Sequence, residues 1–423
     1  MATGVLFISL AVFLLLSVPI GYSLGLSVVC TMIFTGDFPM TFLVQKMFGA
    51  LNSFTLLAVP FFVLAGELMQ RGLIAKKLLN LSKSLIGHLP GGLALISIIT
   101  SLFYGALSGA AAATVSAVGG LMIPAMKDDG YDAPFATAVC TSAGCLGVMI
   151  PPSVSFIMYG IATNTSVGDL FIAGIGAGFV FAGGLIIVSL IISMKRGYRG
   201  VEKRASIKDV GMAVWDAKWS LMVPVIVLGG IYGGFVTPTE ASVIAVVWTL
   251  VVECFIHREL NITGIVESLQ QTVLTSARIF IVIATAIALG QIITLQNVPD
   301  RLVSFISGIS SSPVIIMLII NVIMLILGCF MDGLAAITIM APLLLPLATY
   351  CGVSAIQFGV IMVVNTSIGF LTPPVGVSLY IGSQLGKVSV EKVARALVPF
   401  YIVCIISLMF ITFVPAISLF LLN

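Results

Sequence analysis

The sequence predicts an all-α polytopic membrane protein with two inverted repeats, each containing one re-entrant helical hairpin and one broken helix. Two observations carry this prediction. Hydrophobic residues fill 60% of the 423 positions and charged residues only 8%, whereas soluble domains carry about 25% charged residues. In addition, a Pro-Pro pair follows a glycine in two long apolar segments. Because a spanning helix needs about 20 mostly apolar residues, the chain has room for about ten to twelve spans.

The chain has no feature of an enzyme, an ATP-driven pump or a nucleic-acid-binding protein. It contains no nucleotide-binding Gly-Lys-Ser/Thr loop and no nucleophile–base pair. Its seven cysteines are scattered without a Cys-x-x-Cys motif, so we expect neither disulfides nor a cysteine metal site. No basic residue precedes the apolar run from Val5 to Phe34. This run is too long for a signal peptide and is predicted to be a retained first span, in contact with membrane lipid.

Three groups of basic residues predict the orientation, because lysine and arginine collect in short cytoplasmic loops. The groups are Arg71, Lys76, Lys77 and Lys83; Lys195, Arg196, Arg199, Lys203, Arg204 and Lys208; and Lys387, Lys392 and Arg395. With all three groups inside, the first hairpin begins and ends inside the cell. The second hairpin then begins and ends outside.

These groups and the helix breaks divide the chain into four segments. They are residues 1–194, a first repeat with a hairpin at about 93–126 and a broken helix at about 135–163; residues 195–218, a basic cytoplasmic linker; residues 219–256, a central pair of scaffold spans; and residues 257–423, a second repeat with a hairpin at about 314–350 and a broken helix at about 356–383. Because the repeats are entered from opposite sides, the topology is inverted.

The residues themselves support the repeat. Leu146–Gly160 can be laid over Ile368–Gly382 without a gap, which places Gly147 on Gly369, an offset of 222 (369 minus 147). The same offset matches the two Pro-Pro pairs and places Ala110 of the first hairpin on Asp332 of the second (332 minus 110). The offset therefore covers the hairpins as well as the breaks.

Two consecutive prolines unwind a helix, because they remove hydrogen bonds and clash with the preceding turn. The freed carbonyl groups persist in a membrane only where protein, water or a ligand satisfies them. Carbonyl oxygens with a nearby hydroxyl favour a hard cation such as Na⁺, and unwound helices bind such cations in transporters. The alternative is a kinked helix that neighbouring protein satisfies.

The predicted hairpin tips add polar groups to these breaks. Ser108 and Thr114 lie near the first tip, and Asp332 is the only carboxylate of the second hairpin. An acid inside a membrane indicates a functional site, although Asp332 can also cap a helix. Asn365 adds an oxygen near the second break. Arg278 either meets an acidic substrate or extends to the membrane interface.

At these residues the sequence resembles the large membrane (M) subunit of the tripartite ATP-independent periplasmic (TRAP) transporters. The similar segments are Pro60–Met69, Gly105–Pro124, Leu146–Ser153, Met331–Ala336 and Thr372–Gly376. The resemblance implies an elevator-type sodium symporter that takes up an organic acid, a sialic acid or a C4-dicarboxylate, across a bacterial inner membrane. It also implies two partners, a small membrane (Q) subunit and a periplasmic substrate-binding protein.

The resemblance further implies which residues bind. One sodium site would use Ser108 with Gly147, Ile150 and Pro152, and the other would use Gly328, Asp332, Gly369, Thr372 and Pro374. Thr114, Asn365 and Arg278 are the candidates for substrate binding. One departure is that Ala110 and Ala111 stand where family members often have serine, which leaves fewer oxygens for the first site. A stand-alone sodium/anion symporter of similar fold and a passive channel remain as alternatives.

Overall fold

The computed structural model of the protein describes residues 2–36, 39–200 and 205–422. Every regular element in these ranges is helical, which confirms the all-α prediction. Eight described helices are long and apolar enough to cross a membrane, or nine if one bent pair counts as a span. This number is lower than the ten to twelve spans expected, because several apolar segments form helices too short to cross.

The N-terminal segment forms three helices rather than one span. They are α1 (Ala2–Leu15), α2 (Ile20–Thr35) and α3 (Met40–Leu51). The single span predicted over residues 5–34 is therefore wrong. The chain leaves the helical path at Ser17, which has a positive φ of 60°, and Pro19 starts the next helix. α1 and α2 then pack against each other.

The next helices form the first part of the scaffold and the first hairpin. They are α4 (Ala58–Arg71), α5 (Ile74–Ile86), α6 (Gly92–Ser108), α7 (Ala111–Thr114) and α8 (Gly120–Asp128), with a π-helical turn at Val115–Gly119 between the last two. α6 contacts α7, the π-helical turn and α8. The chain reverses at Gly109, whose φ of +60° suits glycine.

The first broken helix consists of three pieces. They are α9 (Ala133–Ala143), α10 (Leu146–Met149) and α11 (Val154–Thr163). The helix bends by 43° across the Pro-Pro pair. α12 (Val167–Arg196) follows as a continuous helix of 30 residues.

The central segment contains α13 (Ile207–Tyr232) and α14 (Pro238–Val251), which continues as a π-helical turn at Val252–Ile256. The predicted linker 195–218 is wrong in its second half, because α13 already begins at residue 207. Ser206 and Asp209 cap that helix reciprocally. Lys203 and Arg204 of the predicted basic group lie outside the described residues.

The second half contains eight helices. They are α15 (Ile262–Leu295), α16 (Val298–Ile309), α17 (Pro313–Phe330), α18 (Gly333–Tyr350), α19 (Ala355–Gly369), α20 (Val377–Gly386), α21 (Val390–Phe413) and α22 (Ala416–Leu419). α17 and α18 contact each other across the second tip, and α19 and α20 flank the second break. Asn261 caps the start of α15, which runs for 34 residues.

The helix contacts follow the repeat and cross between its halves. α11 of the first broken helix packs against α18 of the second hairpin, and α20 of the second packs against α7, α8 and the π-helical turn of the first. At the centre, the Cys145 thiol donates a hydrogen bond to the carbonyl of Ser367 at 3.1 Å, and these positions are 222 apart. Equivalent residues that contact each other lie beside a pseudo-two-fold axis.

The segments that carry the basic groups come together at one end of the molecule. Arg196 pairs with Asp132 at 3.0 Å, and Lys127 donates to the Gly386 carbonyl at 3.5 Å. The Gly91 amide, which follows α5, donates to the Tyr198 carbonyl at 3.1 Å. This arrangement agrees with a shared membrane side for the three groups.

Candidate functional site

Each hairpin approaches its broken helix through a pair of glycines. A Cβ atom placed on Gly105 would lie 3.0 Å from the Cα of Gly147, and one on Gly328 would lie 3.1 Å from the Cα of Gly369. Such distances leave no room for a side chain at these positions. The glycines therefore let each hairpin backbone lie directly against the helix beside the break.

The first tip brings Ser108 and Thr114 together. Their hydroxyl oxygens are 3.0 Å apart, and the Thr114 hydroxyl also donates to the Ala110 carbonyl at 3.0 Å. The Thr114 hydroxyl oxygen and the Ala110 carbonyl oxygen both border Gly147, since a Cβ atom on Gly147 would overlap them. Thr114, expected to bind substrate, thus belongs to the same oxygen cluster as Ser108. This cluster supplies oxygen atoms, which are the ligands that hard cations prefer.

The first break is buried, and a side chain satisfies one of its carbonyl groups. Ile150 and Pro152 are both buried, and the Ser153 hydroxyl donates to the Val148 carbonyl at 2.6 Å. A Cβ placed on Gly109 would lie 2.7 Å from the Pro152 carbonyl oxygen. The tip therefore touches the carbonyl end of the Pro-Pro pair.

The second tip presents a carboxylate. Asp332 is the N-cap of α18, and its Oδ2 accepts a hydrogen bond from the Leu334 amide at 3.1 Å. The side chain is nevertheless exposed and lines a cavity. The capping hydrogen bond uses only part of the capacity of the carboxylate to accept hydrogen bonds, because an ionised carboxylate has about four lone-pair positions. Asp332 can thus cap its helix and also face an ion.

The second break differs from the first in exposure and in its partners. Pro374 is exposed, and its carbonyl accepts from the Tyr380 hydroxyl at 3.1 Å. The Tyr401 hydroxyl donates to the Leu371 carbonyl, and Thr372 donates to the Ile368 carbonyl at 2.9 Å. Sequence reasoning missed both tyrosines, although a tyrosine within an apolar span is a usable signal, since its hydroxyl needs a partner.

Both tips and both broken helices face one cavity of about 190 Å³. Four pairs of its lining residues are related by the offset of 222: Ala110 and Asp332, Ala112 and Leu334, Val148 and Phe370, and Ser155 and Val377. The cavity therefore straddles the pseudo-two-fold axis. Ser378 also lines it, and its buried hydroxyl has no hydrogen-bond partner among the described residues. Sequence reasoning missed Ser155 and Ser378.

The scaffold closes one side of this cavity. Val63 of α4 and Thr275 and Ile279 of α15 line it. Arg278 lies in the middle of α15, is exposed, and is not among the lining residues. Its neighbour Ile279 faces the cavity instead, so the residue with the charge is one position away from the wall.

Asn365 lies in a different polar network, behind the second break. It is fully buried, and its amide donates to the Asn321 Oδ1 at 2.8 Å and to the Ile361 carbonyl at 2.9 Å. Asn321 in turn donates to the Thr412 hydroxyl at 3.1 Å. This network joins α17, α19 and α21, and Asn365 does not line the cavity.

Two hairpin tips and two broken helices around one cavity define an integral membrane transporter with inverted repeats. Residues 7–417 match the family described as "Tripartite ATP-independent periplasmic transporter, DctM component". The chain belongs to this family, as the resemblance in its motifs indicated. It is accordingly a transport protein rather than an enzyme, and a multi-pass protein of the bacterial inner membrane.

Several curated relatives are similar over nearly the whole chain. The isethionate TRAP transporter permease protein DctMQ of Oleidesulfovibrio alaskensis is 42% identical over 98% of this chain, which spans 66% of that relative's length. The C4-dicarboxylate large permease DctM of Pseudomonas aeruginosa is 36% identical and the sialic acid large permease SiaM of Vibrio cholerae is 35% identical, each over 95% of this chain and 94% of the relative.

A solved structure shows the same fold at low sequence identity. The Alcanivorax borkumensis YdaH transporter, described as having an unusual topology, matches with a TM-score of 0.60 and 14% identity. The match covers 88% of this chain and 86% of that one. At this identity the likeness concerns the fold alone.

Proposed function

We propose that this chain is the transport subunit of a TRAP system and takes up an organic anion by sodium symport. The observation that carries the proposal is the cavity on the pseudo-two-fold axis, because both hairpin tips and both broken helices border it. Inverted-repeat transporters bind substrate and ions at the interface of their repeats. The family membership supports transport of an organic acid.

The proposed cation positions follow the two tips. The first is the oxygen cluster of Ser108, Thr114 and the Ala110 carbonyl beside Gly147. The second is Asp332, which offers the only carboxylate among the residues that line the cavity. A carboxylate and hydroxyl oxygens suit a hard cation such as Na⁺. The anion would lie between the tips, next to Ser378, whose buried hydroxyl has no hydrogen-bond partner among the described residues.

The substrate class is proposed to be a small carboxylate or sulfonate. Relatives are named for isethionate, C4-dicarboxylates and sialic acid.

The proposed mechanism is an elevator movement. The hairpins and broken helices pack crosswise onto one another, while α4 packs against α14 and α15, and α13 packs against α14. Because α12 and α21 pack on the hairpins and broken helices, these contacts support a moving body made of the hairpins, the broken helices, α12 and α21, and a scaffold that includes α4, α13, α14 and α15. A small membrane subunit and a periplasmic substrate-binding protein are the proposed partners.

Uptake by proteoliposomes tests the proposal. We expect uptake of a radiolabelled anion only with the small subunit, the binding protein and an inward sodium gradient, and no uptake when potassium replaces sodium. Isethionate, a C4-dicarboxylate and sialic acid should each be supplied with a matching binding protein. Undiminished uptake without any binding protein would instead identify a stand-alone symporter, and single-channel currents would identify a channel.

A further inference from the structure

A buried carboxylate lies outside the cavity, at the end of α14. Glu253 belongs to the π-helical turn Val252–Ile256 and is fully buried. It does not line the cavity. A buried carboxylate is costly unless it is hydrogen-bonded, and π-helical turns within helices are frequent at functional sites. The partners of Glu253 therefore indicate what it does.

Glu253 binds the first turn of another helix. Its Oε2 accepts a hydrogen bond from the Leu73 amide and its Oε1 one from the Ile74 amide, both at 3.2 Å. His257 places its Nδ1 3.2 Å from the same Oε2. α5 has no side-chain cap of its own. Glu253 thus supplies from α14 the cap that the N-terminus of α5 lacks.

The corner between α4 and α5 is held from two sides. A Cβ atom on Gly72 would overlap the Glu253 carboxylate, so the glycine makes room for this contact. Next to it, Arg71 forms an ion pair with Glu267 of α15. Two scaffold elements, the end of α14 and the start of α15, therefore fix the chain where α5 begins.

The C-terminal end of α5 leads into the first hairpin. Residues 87–91 lead from α5 into α6 and include Gly87 and Gly91, whose φ is +69°. The Gly91 amide donates to the Tyr198 carbonyl, beyond the end of α12. α5 is thus tied to the scaffold at its start and joins the first hairpin at its end.

We propose that Glu253 is a positioning residue for transport, which fixes the start of α5 to the scaffold. Movement of the first hairpin then bends the chain at residues 87–91 and leaves the α4–α5 corner in place. This inference rests on the proposed elevator movement. It assigns to Glu253 a mechanical role without contact with ion or substrate.

Glu253→Gln tests the cap and the role together, in the complete complex reconstituted in nanodiscs and proteoliposomes. Glutamine keeps the shape but cannot accept with its amide nitrogen. We expect hydrogen exchange of the Leu73–Lys77 amides to become about tenfold faster, the effect of one lost charge-assisted bond. The maximal uptake rate should fall several-fold. The KM values for anion and sodium should stay unchanged, because the cavity is not touched.

Glu240→Gln is the matched control, at the opposite end of α14. Glu240 is exposed and caps only its own helix, through Thr237. This variant should change neither α5 exchange nor uptake. Unchanged α5 exchange in Glu253→Gln would overturn the cap, and faster exchange with an unchanged uptake rate would overturn the mechanical role.

If Glu253→Gln does not insert, Arg71→Gln removes the other tie of the corner and should give the same pattern. A raised KM with an unchanged maximal rate in that variant would overturn the proposal. Sodium dependence is measured in every variant. Uptake by the wild-type protein that does not depend on sodium would refute the proposed symport rather than the role of Glu253.

Discussion

Asp332 offers a test that separates helix capping from ion binding. The carboxylate caps α18 through the Leu334 amide and faces the cavity at the same time. Asparagine is as good an N-cap as aspartate, whereas alanine is not. Asp332→Asn therefore removes the charge and keeps the cap, and Asp332→Ala removes both.

The two roles have different magnitudes. Loss of the cap costs about 1 kcal/mol of stability, so Asp332→Ala should lower the melting temperature and Asp332→Asn should not. Loss of a unit charge about 4 Å from a cation removes up to about 4 kcal/mol at an effective dielectric constant of about 20. That corresponds to a sodium affinity weaker by up to about three powers of ten.

The assay is the sodium concentration that gives half-maximal uptake in proteoliposomes, together with thermal unfolding of the same preparations. Asp300→Asn is the control, because Asp300 is an exposed acid in the first turn of α16 and lies outside the cavity. Both Asp332 variants should lose sodium activation, and only the alanine variant should also lose stability. The change worked out above is far larger than threefold. The reasoning would be refuted if the sodium concentration for half-maximal uptake in Asp332→Asn stayed within about threefold of the wild-type value.

Two further predictions concern the first tip. Gly147→Ala places a Cβ on the Thr114 hydroxyl and the Ala110 carbonyl, so it should lower stability by about 1–3 kcal/mol and abolish uptake. Gly120→Ala is the control, because Gly120 has open space around it, and this variant should leave uptake unchanged. Equal effects of the two variants would contradict the close packing at Gly147. Thr114→Val removes the hydroxyl that joins Ser108 and Ala110. The sodium concentration for half-maximal uptake should rise, while the anion KM at saturating sodium stays constant. A shifted anion KM would instead indicate that Thr114 binds substrate.

The sequence was sufficient to predict the repeat and the elements at its centre. The Pro-Pro pairs and their glycines have a direct backbone meaning, because proline cannot continue a helix and glycine permits close approach. Hence the hairpins and broken helices lie within a few residues of the predicted ranges. Ala110 at the first tip and Asp332 at the second, which the offset of 222 relates, line the same cavity.

Features that depend on tertiary packing were not predictable in the same way. Hydropathy alone gave no sign of the turn near Ser17 within the run 5–34, although Pro19 marks the break in the sequence. Asn365 was expected at the site because it precedes Gly369 by about one turn, but its side chain points into a network with Asn321. Ser378 was overlooked because one serine after a break carries no pattern, and only the structure places it beside the cavity.

The single carboxylate among the residues that line the cavity has a consequence for the order of binding in the proposed symport. The cavity wall is symmetric in position but not in charge, because Ala110 stands where its counterpart is Asp332. An anion that enters alone meets an uncompensated negative charge, whereas a cation that arrives first neutralises it. Like charges at close range in a cavity repel strongly. In the proposed symport, the asymmetry of this one residue pair disfavours leakage of the anion without its cation.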